Sequence, residues 1–214
     1  MAYFFPEGSK FQFSTTFASA KTVTAASNAN PAVLTSVAHG YTTSDEFLFT
    51  SGWEDATNSI FKANVLTADT LGALGLNTTD TSYFGAGSGT GTMQKVTGWT
   101  DIPQVLSIST SGGDARFTTV NPLASRNSLN IPTGFNAASM TLTLGHDPSN
   151  ANYQTMLNIS RTLSKCGFKM LLSGGATMYG YGYMSVNEAP QLSSGQVNQV
   201  QAAITILGRA ISYA

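Results

Sequence analysis

Mostly apolar residues recur at helical spacing in one stretch of this sequence, and elsewhere the apolar side chains alternate as they do in β-strands. The helical stripe occupies positions i, i+3, i+4, i+7 and i+10 and consists of Tyr153, Met156, Leu157, Ser160 and Leu163. Asp147-Pro148-Ser149 precedes the stripe, with the proline in the first turn, and Gly167 follows its end. The spacing predicts one amphipathic helix of about four turns, lying on a sheet with its stripe inward.

The other predicted elements are strands, because they are rich in β-branched and aromatic residues and are separated by turn residues. Before the helix they are residues 22–26, 32–37, 46–50, 60–66, 92–96, 104–109, 115–120 and 140–144. After the helix they are residues 168–172, 179–186 and 196–207. Tyr179, Tyr181 and Tyr183 alternate with glycines, which predicts three aromatic rings on one face of a strand. The pattern predicts a mainly β protein with one flanking α-helix.

Charged residues are scarce in this chain. They make up 10% of it, against about 25% in an average globular protein. Polarity comes instead from 24 serines and 28 threonines. The net charge of −1 argues against a general nucleic-acid binder or an anionic-membrane binder, since either needs a concentrated basic surface. We expect a protein that has no membrane-spanning segment and that folds in the cytoplasm.

The charge distribution predicts three parts of the chain. Residues 22–97 carry six acids and two bases, for a charge of −4, and the remainder carries +3. We therefore expect a small inserted all-β module at 22–97, between an N-terminal strand or arm at 1–21 and a main domain at 98–214. The glycine-rich run at 85–91 has the composition of a flexible turn or linker at the exit of the module.

Catalytic, cofactor and metal sites are not predicted. His39 and His146 lie in a turn and at the start of the helix, where structural roles are expected. The acidic doublets Asp45-Glu46 and Glu54-Asp55 could form an acid/base pair or a calcium site, but we favour solvated loop charges because their spacing is not that of a calcium loop. Cys166, at the expected helix end, lacks an activating neighbour and is predicted to pack as a small hydrophobe.

Strand edges of such a protein need protection. Charged side chains usually protect sheet edges from aggregation, and this chain has few of them. We therefore expect the edges to pair with other copies of the same chain, by closure into a ring or by head-to-tail growth into a tube.

Two sequence segments resemble bacteriophage tail proteins. The first is the order Trp99-Thr-Asp-Ile-Pro-Gln-Val-Leu-Ser-Ile-Ser-Thr-Ser-Gly-Gly113, Phe117-Thr-Thr-Val120, a strand and helix at 138–165, the Gly-Tyr-Gly-Tyr strand and Ile204-Thr-Ile-Leu-Gly208. It resembles the tail tube (major tail) protein of long-tailed bacteriophages. The second, Asn30-Pro-Ala-Val-Leu-Thr-Ser-Val-Ala-His-Gly-Tyr41 followed by Asp45 and Ser51-Gly52, resembles a small β module found within phage tail proteins and related to part of the ubiquitin-activating enzymes.

The resemblance implies a structural virion protein with a tail-tube-like β-sandwich and one flanking helix. Six copies would close into a ring, and rings would stack into the tail tube that conducts genomic DNA during ejection without binding it specifically. The implied partners are further copies of the chain and the tail tip or initiator, tape measure and tail terminator proteins. Assembly would take place in the host cytoplasm, and the module would decorate the outside of the tube.

The resemblance also implies two sets of contact residues. A long loop at 109–127 would contact the adjacent ring through Ser109, Gly112, Gly113, Asp114, Arg116, Phe117 and Arg126. The terminal strand would build the intersubunit sheet through Val197, Val200, Ile204 and Ile206.

A carbohydrate-binding β-sandwich is the alternative. Trp53, Trp99 and the three tyrosines could stack on sugar rings. Oligomeric state separates the two functions, because a sugar-binding module is expected to stay small whereas a tube protein polymerises.

Overall fold

The fold is described for residues 7–214 in a computed structural model, and the first six residues of the predicted N-terminal arm lie outside the described residues. Within the described residues the chain forms three sheets and one helix. The small sheet consists of β2 (Lys21–Val23), β3 (Ala25–Ala26), β4 (Ala32–Thr35), β5 (Glu46–Ser51), β6 (Ser59–Val65), β7 (Thr70–Leu74) and β8 (Gly91–Lys95). Its strand order is β2-β8-β5-β6-β7-β4-β3.

The large sheet collects strands from both ends of the chain. It consists of β1 (Lys10–Ser14), β9 (Thr100–Asp101), β10 (Val105–Ser111), β13 (Ser139–Gly145), β14 (Lys165–Leu171), β15 (Thr177–Val186), β16 (Gln199–Ile206) and β17 (Ile211–Tyr213). The strand order is β10-β13-β16-β15-β14-β1-β9, and β17 pairs with β15. All of the registered pairs are antiparallel. The third sheet is the ribbon of β11 (Ala115–Val120) and β12 (Leu129–Phe135).

The predicted mainly β class with one helix is confirmed. β1 lies within the N-terminal strand or arm predicted at 1–21, and the strands that the sequence did not predict are β7, β9, β12 and β17. β12 contains Pro132 and Gly134, which normally argue against a strand. Proline is tolerated there because β12 belongs to a two-stranded ribbon, where each strand has a free edge.

The helix α1 runs over Ala151–Thr162 and is shorter than predicted. Its N-cap is Asn150, whose side chain accepts hydrogen bonds from the backbone amides of residues 152 and 153, so Pro148 lies before the helix. Leu163 is the C-cap with φ 49° and its side chain is 66% exposed, so its predicted inward position is wrong. Gly167 lies inside β14 rather than at the helix end.

A large core fills the space between α1 and one face of the large sheet. Tyr153, Met156, Leu157 and Ile159 of the helix pack against buried residues of the strands. The strand residues include Phe13, Leu142, Phe168, Met184, Val200 and Ile204. Gly182 on β15 faces this core, where a Cβ would overlap the carbonyl oxygen of Thr205. Gly182 therefore lets β16 approach β15 closely.

The small sheet has its own core and also packs on the opposite face of the large sheet. Its own core includes Leu34, Phe47, Phe61, Leu71 and Met93. A separate cluster joins the two sheets and consists of Leu48, Ile60, Val96 and Tyr179, with Phe17, Trp99, Tyr181 and Tyr213 packed against it. The two sheets thus share an apolar contact in addition to the chain connections between them.

Candidate assembly interface

The ribbon of β11 and β12, with its connecting turn, forms an exposed arm spanning residues 112–138. Every residue of β11 is exposed, and β12 is exposed except for Gly134. The arm carries six of the sixteen large hydrophobic side chains that are exposed in the described residues, namely Phe117, Val120, Leu123, Leu129, Ile131 and Phe135. A two-stranded ribbon is marginally stable in water on its own, and exposed apolar surface of this kind is typical of a protein-binding site.

The arm continues the ladder between β10 and β13. Amide-to-carbonyl hydrogen bonds run from Gly113 to Asn136 at 3.1 Å and from Asn136 to Asp114 at 2.9 Å. Gly112 and Gly113 have φ values of +81° and +80°, which favour glycine. A Cβ at Gly112 would also overlap the carbonyl oxygen of Ala137, whereas a Cβ at Gly113 would meet open space. The two glycines therefore form a hinge that sets the direction of the arm.

All of the residues predicted for the inter-ring loop except Ser109 lie on the arm. Ser109 belongs to β10, Gly112, Gly113 and Asp114 form the hinge, Arg116 and Phe117 lie on β11, and Arg126 lies in the turn. The predicted loop thus contains the end of β10 and the whole of β11. The Arg116 Nε donates to the Thr133 hydroxyl across the ribbon at 3.4 Å, and the rest of the segment is open to solvent.

The residues predicted for the intersubunit sheet are placed differently. Val200, Ile204 and Ile206 are at most 7% exposed and belong to the core of the same chain. β16 pairs with β13 on one edge and with β15 on the other. Neither its backbone edges nor these three side chains are free for a neighbouring subunit, and only Val197, 64% exposed, lies outside the core.

The opposite side of β10, β13, β16 and β15 is an uncharged polar face. Its cross-strand rows are Ser107–Thr143–Gln201, Ser109–Thr141–Ala203–Ser185 and Ser111–Ser139–Thr205–Tyr183. These side chains are exposed or half-buried, and none of them carries a charge at neutral pH. The alternation of serine and threonine with apolar residues in residues 104–109 and 140–144 is the sequence signal for this face. The sequence analysis used these segments to predict strands and did not assign their polar side a function.

One edge of β10 is open. β10 pairs with β13 on its other side and has no strand partner beyond it in the described part of the chain. An apolar groove separates this edge from the ends of β1 and β14 and is lined by Phe11, Val105, Leu106, Ile108, Met170 and Leu172. Leu106 is 51% exposed at the groove, and the charged group at its rim is Lys10. We call this surface the edge groove.

Glu46 joins the two sheets through its carboxylate. It lies on β5, is 15% exposed, and pairs with Lys169 of β14 at 2.8 Å. The Tyr179 hydroxyl and the Trp99 indole N–H also donate to it. Burial raises the pKa of Tyr179, and its hydrogen bond to Glu46 raises it further. The prediction that Glu46 is a solvated loop charge is therefore wrong.

The other acids of the two doublets differ in their surroundings. Asp45 pairs with Lys95 at 2.6 Å within the small sheet. Burial raises the pKa of Asp45, but hydrogen bonds from Lys95 and Thr42 outweigh it and hold the pKa below its usual value. Asp55 pairs with Arg209 at 2.8 Å and so ties the small sheet to the C-terminal segment, whereas the Glu54 side chain is exposed as predicted.

The C-terminal strand forms a clasp between the sheets. The Tyr213 hydroxyl accepts from the Lys62 amide at 3.0 Å and donates to the Leu74 carbonyl at 2.7 Å. Lys62 Nζ also lies 4.7 Å from the centre of the Tyr213 ring. Burial raises the pKa of Tyr213 to about 12. β17 therefore pairs with β15 and binds β6 and β7 at the same time.

The glycine-rich run at 85–91 is a packed loop inside the small sheet, so the prediction of a linker is wrong. The Trp53 indole N–H donates to the Gly85 carbonyl at 2.8 Å. A Cβ at Gly89 would clash with the Trp53 ring, and one at Gly91 would overlap the Thr50 carbonyl oxygen. These glycines let the loop lie close against Trp53 before β8 completes the sheet.

The side chains considered for chemistry have structural surroundings. The His39 ring accepts from the Tyr41 amide at 3.0 Å and lies 3.0 Å from the Thr67 carbonyl oxygen, so it bridges a turn. His146 Nδ1 lies 3.3 Å from the Tyr153 hydroxyl beside α1. Cys166 is fully buried in β14, and burial raises the pKa of its thiol to about 12. It packs as the predicted small hydrophobe, but in a strand rather than at a helix end.

Metal-ligating side chains do not cluster in the structure as described for residues 7–214, where no three of His, Cys, Asp and Glu come together. No helix in that part of the chain is long and apolar enough to cross a bilayer.

The aromatic residues considered for sugar stacking do not form a platform. Trp53 is 2% and Tyr179 is 1% exposed. Trp99 donates its N–H to Glu46, and Tyr181 packs edge-on against Phe17 with ring centres 5.9 Å apart. Trp53 lies in the core of the small sheet, whereas Trp99, Tyr179 and Tyr181 pack in the cluster between the two sheets. These rings hold the protein's own strands together, so the geometry does not favour the carbohydrate-binding alternative.

Comparison with known proteins assigns the chain to a family. A sequence model described as "Phage tail tube protein, TTP" matches residues 51–214. The chain belongs to this family. Phage tail tube proteins are structural, so the chain is a structural component of the virion tail and not an enzyme, as predicted. None of the curated protein sequences compared with the chain matches it.

Several solved structures resemble this phage tail tube protein. The SPP1 tail tube, determined by solid-state NMR and cryo-EM, is 10% identical over 55% of this chain and 69% of that chain, with a TM-score of 0.43. A native gene transfer agent virion contains a chain 15% identical over 54% of this chain and 89% of its own length, with a TM-score of 0.43. The tail of an empty gene transfer agent particle, refined with C6 symmetry, gives 15% identity, coverages of 54% and 87%, and a TM-score of 0.42.

Proposed function

We propose that six copies of this tail tube protein close into a ring and that the rings stack into a hollow tube through which genomic DNA leaves the virion. The family assignment supports the tube. The observation that carries the proposal is the combination of an uncharged polar face on the longest paired strands with an exposed apolar arm that continues two of them. The first suits a DNA conduit, and the second suits contact between copies.

The polar face would line the lumen. Basic side chains in the lumen would neutralise DNA phosphates and bind the DNA, and binding of that kind would slow its passage. Serine, threonine and glutamine side chains stay hydrated without attracting phosphate. Most members of all three cross-strand rows are of these types, and the other two are Ala203 and Tyr183, which fits DNA that passes without specific binding.

The arm would contact the adjacent ring. Its exposed residues include Arg116, Phe117 and Arg126, which the sequence analysis placed in an inter-ring loop. Within a ring, Val197 is the one of the four residues predicted for the intersubunit sheet that is exposed for a neighbour. The remaining ring contacts would come from edge strands and loops, because β16 is paired on both sides.

The small sheet would lie on the outside of the tube. It packs over Tyr179 and Tyr181 on the side of the large sheet opposite α1, which is also the side of the polar face. This placement therefore requires that only the half of the sheet with the polar rows faces the lumen. Tape measure, tail terminator and tail tip or initiator proteins would be the partners, and assembly would take place in the host cytoplasm before the tail joins the virion.

Negative-stain electron microscopy with light scattering on the purified chain at increasing concentration tests the proposal. Six-fold rings or hollow tubes are expected, with or without added tail tip complexes as nuclei. A monodisperse monomer of 22.4 kDa at every concentration, even with tail tip complexes present, would contradict it.

A further inference from the structure

The edge groove holds three large hydrophobic side chains that the described part of the chain leaves exposed. Leu106, Leu172 and Ile108 are 51%, 40% and 37% exposed and line the groove together. The adjacent edge of β10 has no strand partner in that part of the chain. A free strand edge beside exposed apolar side chains promotes aggregation unless another segment covers it. The groove therefore has the features of a binding site for an extended segment.

The chain turns immediately before β1. Glu7 and Gly8 form a turn, and Gly8 has a φ of +86°, a value that favours glycine. The turn lies at the end of β14, where the Ser173 amide donates to the Ser9 hydroxyl at 3.2 Å. A turn at this point directs the residues that precede it back alongside the start of β1.

The start of β1 has one edge open to such a returning segment. On its other edge, Lys10 pairs with Leu171 of β14. In the described residues, β9 pairs with β1 only at Gln12 and Phe13, so the positions before them are free on the side of β9. That side faces the edge groove, because residues 9–11 line it opposite β10. A segment that turns back before β1 can therefore lie between β1 and β10.

The residues before the turn suit the groove in composition and length. They are Met1-Ala-Tyr-Phe-Phe5 and carry no charged side chain. In an extended segment Tyr3 and Phe5 fall on one face, so both rings can enter an apolar groove together. Five extended residues span about 17 Å, and residues 105–110 of β10, beside the groove, span about 20 Å. Pro6 lacks an amide hydrogen, so strand pairing ends there, at the turn.

We propose that residues 1–5 of the unassembled chain turn back into the edge groove of the same chain and cover the open edge of β10. The segment acts as an internal cap. A strand from a second copy can pair with β10 only after the cap has left the groove. This effect on assembly rests on the proposed tube, whereas the docking of residues 1–5 does not.

A removable cap protects an edge that this chain does not protect with charge. Charged residues make up 10% of the chain, and Lys10 is the charged group at the groove. The turn tethers the cap beside the groove, so the cap has a high effective concentration there and excludes other copies from β10 while they are dilute. Copies held side by side in a growing tube compete with the cap on more equal terms.

Cysteine labelling of the unassembled chain tests the docking. Leu106→Cys places a thiol in the groove, and the native Cys166 is fully buried. A maleimide should label the groove thiol at least fivefold more slowly in the full chain than in a variant that also lacks residues 2–5. Leu192→Cys, at an exposed leucine of the loop after β15, is the matched control and should react equally fast with and without residues 2–5. Equal labelling of Leu106→Cys in the two backgrounds would overturn the docking proposal.

A point substitution repeats this test at full chain length. Phe5→Asp places a charge in the segment and should release it from the groove, so the Leu106→Cys thiol should react as fast as in the deletion variant. Labelling of the buried Cys166 reports any unfolding in either variant. If Phe5→Asp leaves the groove thiol protected while Cys166 stays unlabelled, residues 1–5 are not the cap.

Dilution identifies which chain supplies the segment. Protection of the groove thiol should be the same at every concentration below that of assembly, because the cap belongs to the same chain. Protection that disappears on dilution would overturn the internal cap and show that a second copy fills the groove.

Assembly of the deletion variant tests the effect on the tube. Loss of residues 2–5 should lower the concentration at which tubes form at least threefold, measured by light scattering and electron microscopy. Slow labelling of the groove thiol with unchanged assembly would support the docking and overturn its effect on assembly. If neither protein forms tubes, even with tail tip complexes, the proposed function fails, and the labelling rates still decide the docking.

Discussion

Lys169 of the large sheet and Glu46 of the small sheet form an ion pair at 2.8 Å in which both side chains are about five-sixths buried. The pair lies at the margin of the apolar cluster that joins the sheets, beside Tyr179. A charge in such surroundings is stable only with its partner, because burial removes its hydration. The small sheet is therefore held against the large sheet at a defined position by side-chain contacts as well as by the chain connections.

Replacement of Glu46 tests this fastening. Glu46→Gln leaves the Lys169 ammonium without its counter-charge, and we expect it to lower the free energy of unfolding by about 2–3 kcal/mol. Denaturant unfolding measures the loss. Glu54→Gln, at the exposed acid nearby, is the control and should change stability by less than about 0.5 kcal/mol. Equal losses for the two variants would show that the pair does not fasten the sheets.

The Tyr213 clasp predicts a stability effect that depends on pH. Tyr213→Phe keeps the ring but leaves the Lys62 amide and the Leu74 carbonyl without their partner, at a cost of about 2 kcal/mol at pH 7. The folded pKa of about 12 lies above the unfolded value of about 10. The contribution of the neutral phenol is therefore complete below pH 10 and is lost as the pH rises to 12.

Unfolding curves for wild type and Tyr213→Phe between pH 7 and pH 12 measure this difference. The difference in free energy of unfolding between the two proteins should become smaller above about pH 10, because only the wild type has this phenol to ionise on unfolding. Tyr83→Phe, at a tyrosine that is 72% exposed, should show no gap at neutral pH. A constant gap for Tyr213→Phe across the range would refute the assigned pKa.

The hinge glycines make a matched pair of substitutions. Both have positive φ, so alanine at either position carries the strain of a left-handed backbone, about 1 kcal/mol. Gly112→Ala adds a clash with the Ala137 carbonyl, whereas Gly113→Ala has room. We expect Gly112→Ala to redirect the arm and reduce tube assembly strongly, and Gly113→Ala to reduce it only slightly. Sedimentation of assembled tubes compares the two, and similar yields would count against the hinge.

The sequence predicted the repetitive features of this fold and missed those that depend on contacts between distant segments. Period-two alternation located β13 and β15 closely, since each buries one face of a long strand. The short strand β7 contains Gly72, and its strand conformation becomes evident only from its pairing with β4 and β6. Glu46 looked like a loop acid because its partner Lys169 lies 123 residues away in the chain.

The assembly surfaces were partly visible in the sequence. The segment predicted to contact the adjacent ring overlaps the exposed hairpin, but the hairpin form was hidden by Pro132 and Gly134 in β12. The apolar residues of β16 looked available for a neighbour because alternation shows that one face is buried without showing which chain buries it. In the fold, α1 and the large sheet bury Val200 and Ile204 within one subunit.

Charge reversal in the arm separates assembly from folding. Arg116 is exposed and makes one long hydrogen bond, to Thr133 at 3.4 Å. Arg116→Glu should therefore change the melting temperature of the monomer by less than about 2 °C while it weakens ring stacking several-fold, measured by sedimentation. Arg161→Glu, at an exposed arginine of α1 paired with Glu188, tests whether any surface charge reversal has this effect. If Arg116→Glu lowers the melting temperature as much as it lowers assembly, the arm is not an inter-ring contact.

Positive charge on the polar face tests whether that face lines the lumen. Gln201 is exposed on this face, in the row that also contains Ser107 and Thr143. Gln201→Lys would place several ammonium groups around each ring, and each contact with a DNA phosphate would hold the DNA more tightly at low salt. We expect tubes of normal appearance but DNA release from virions that is several-fold slower. The release rate should recover as the salt concentration rises, because added salt reduces the free energy gained from counterion release. Thr24→Lys, on the exposed surface of the small sheet, supplies the same charge away from the proposed lumen and should leave DNA release unchanged. If both variants release DNA at the wild-type rate at low salt, the polar face does not line the conduit.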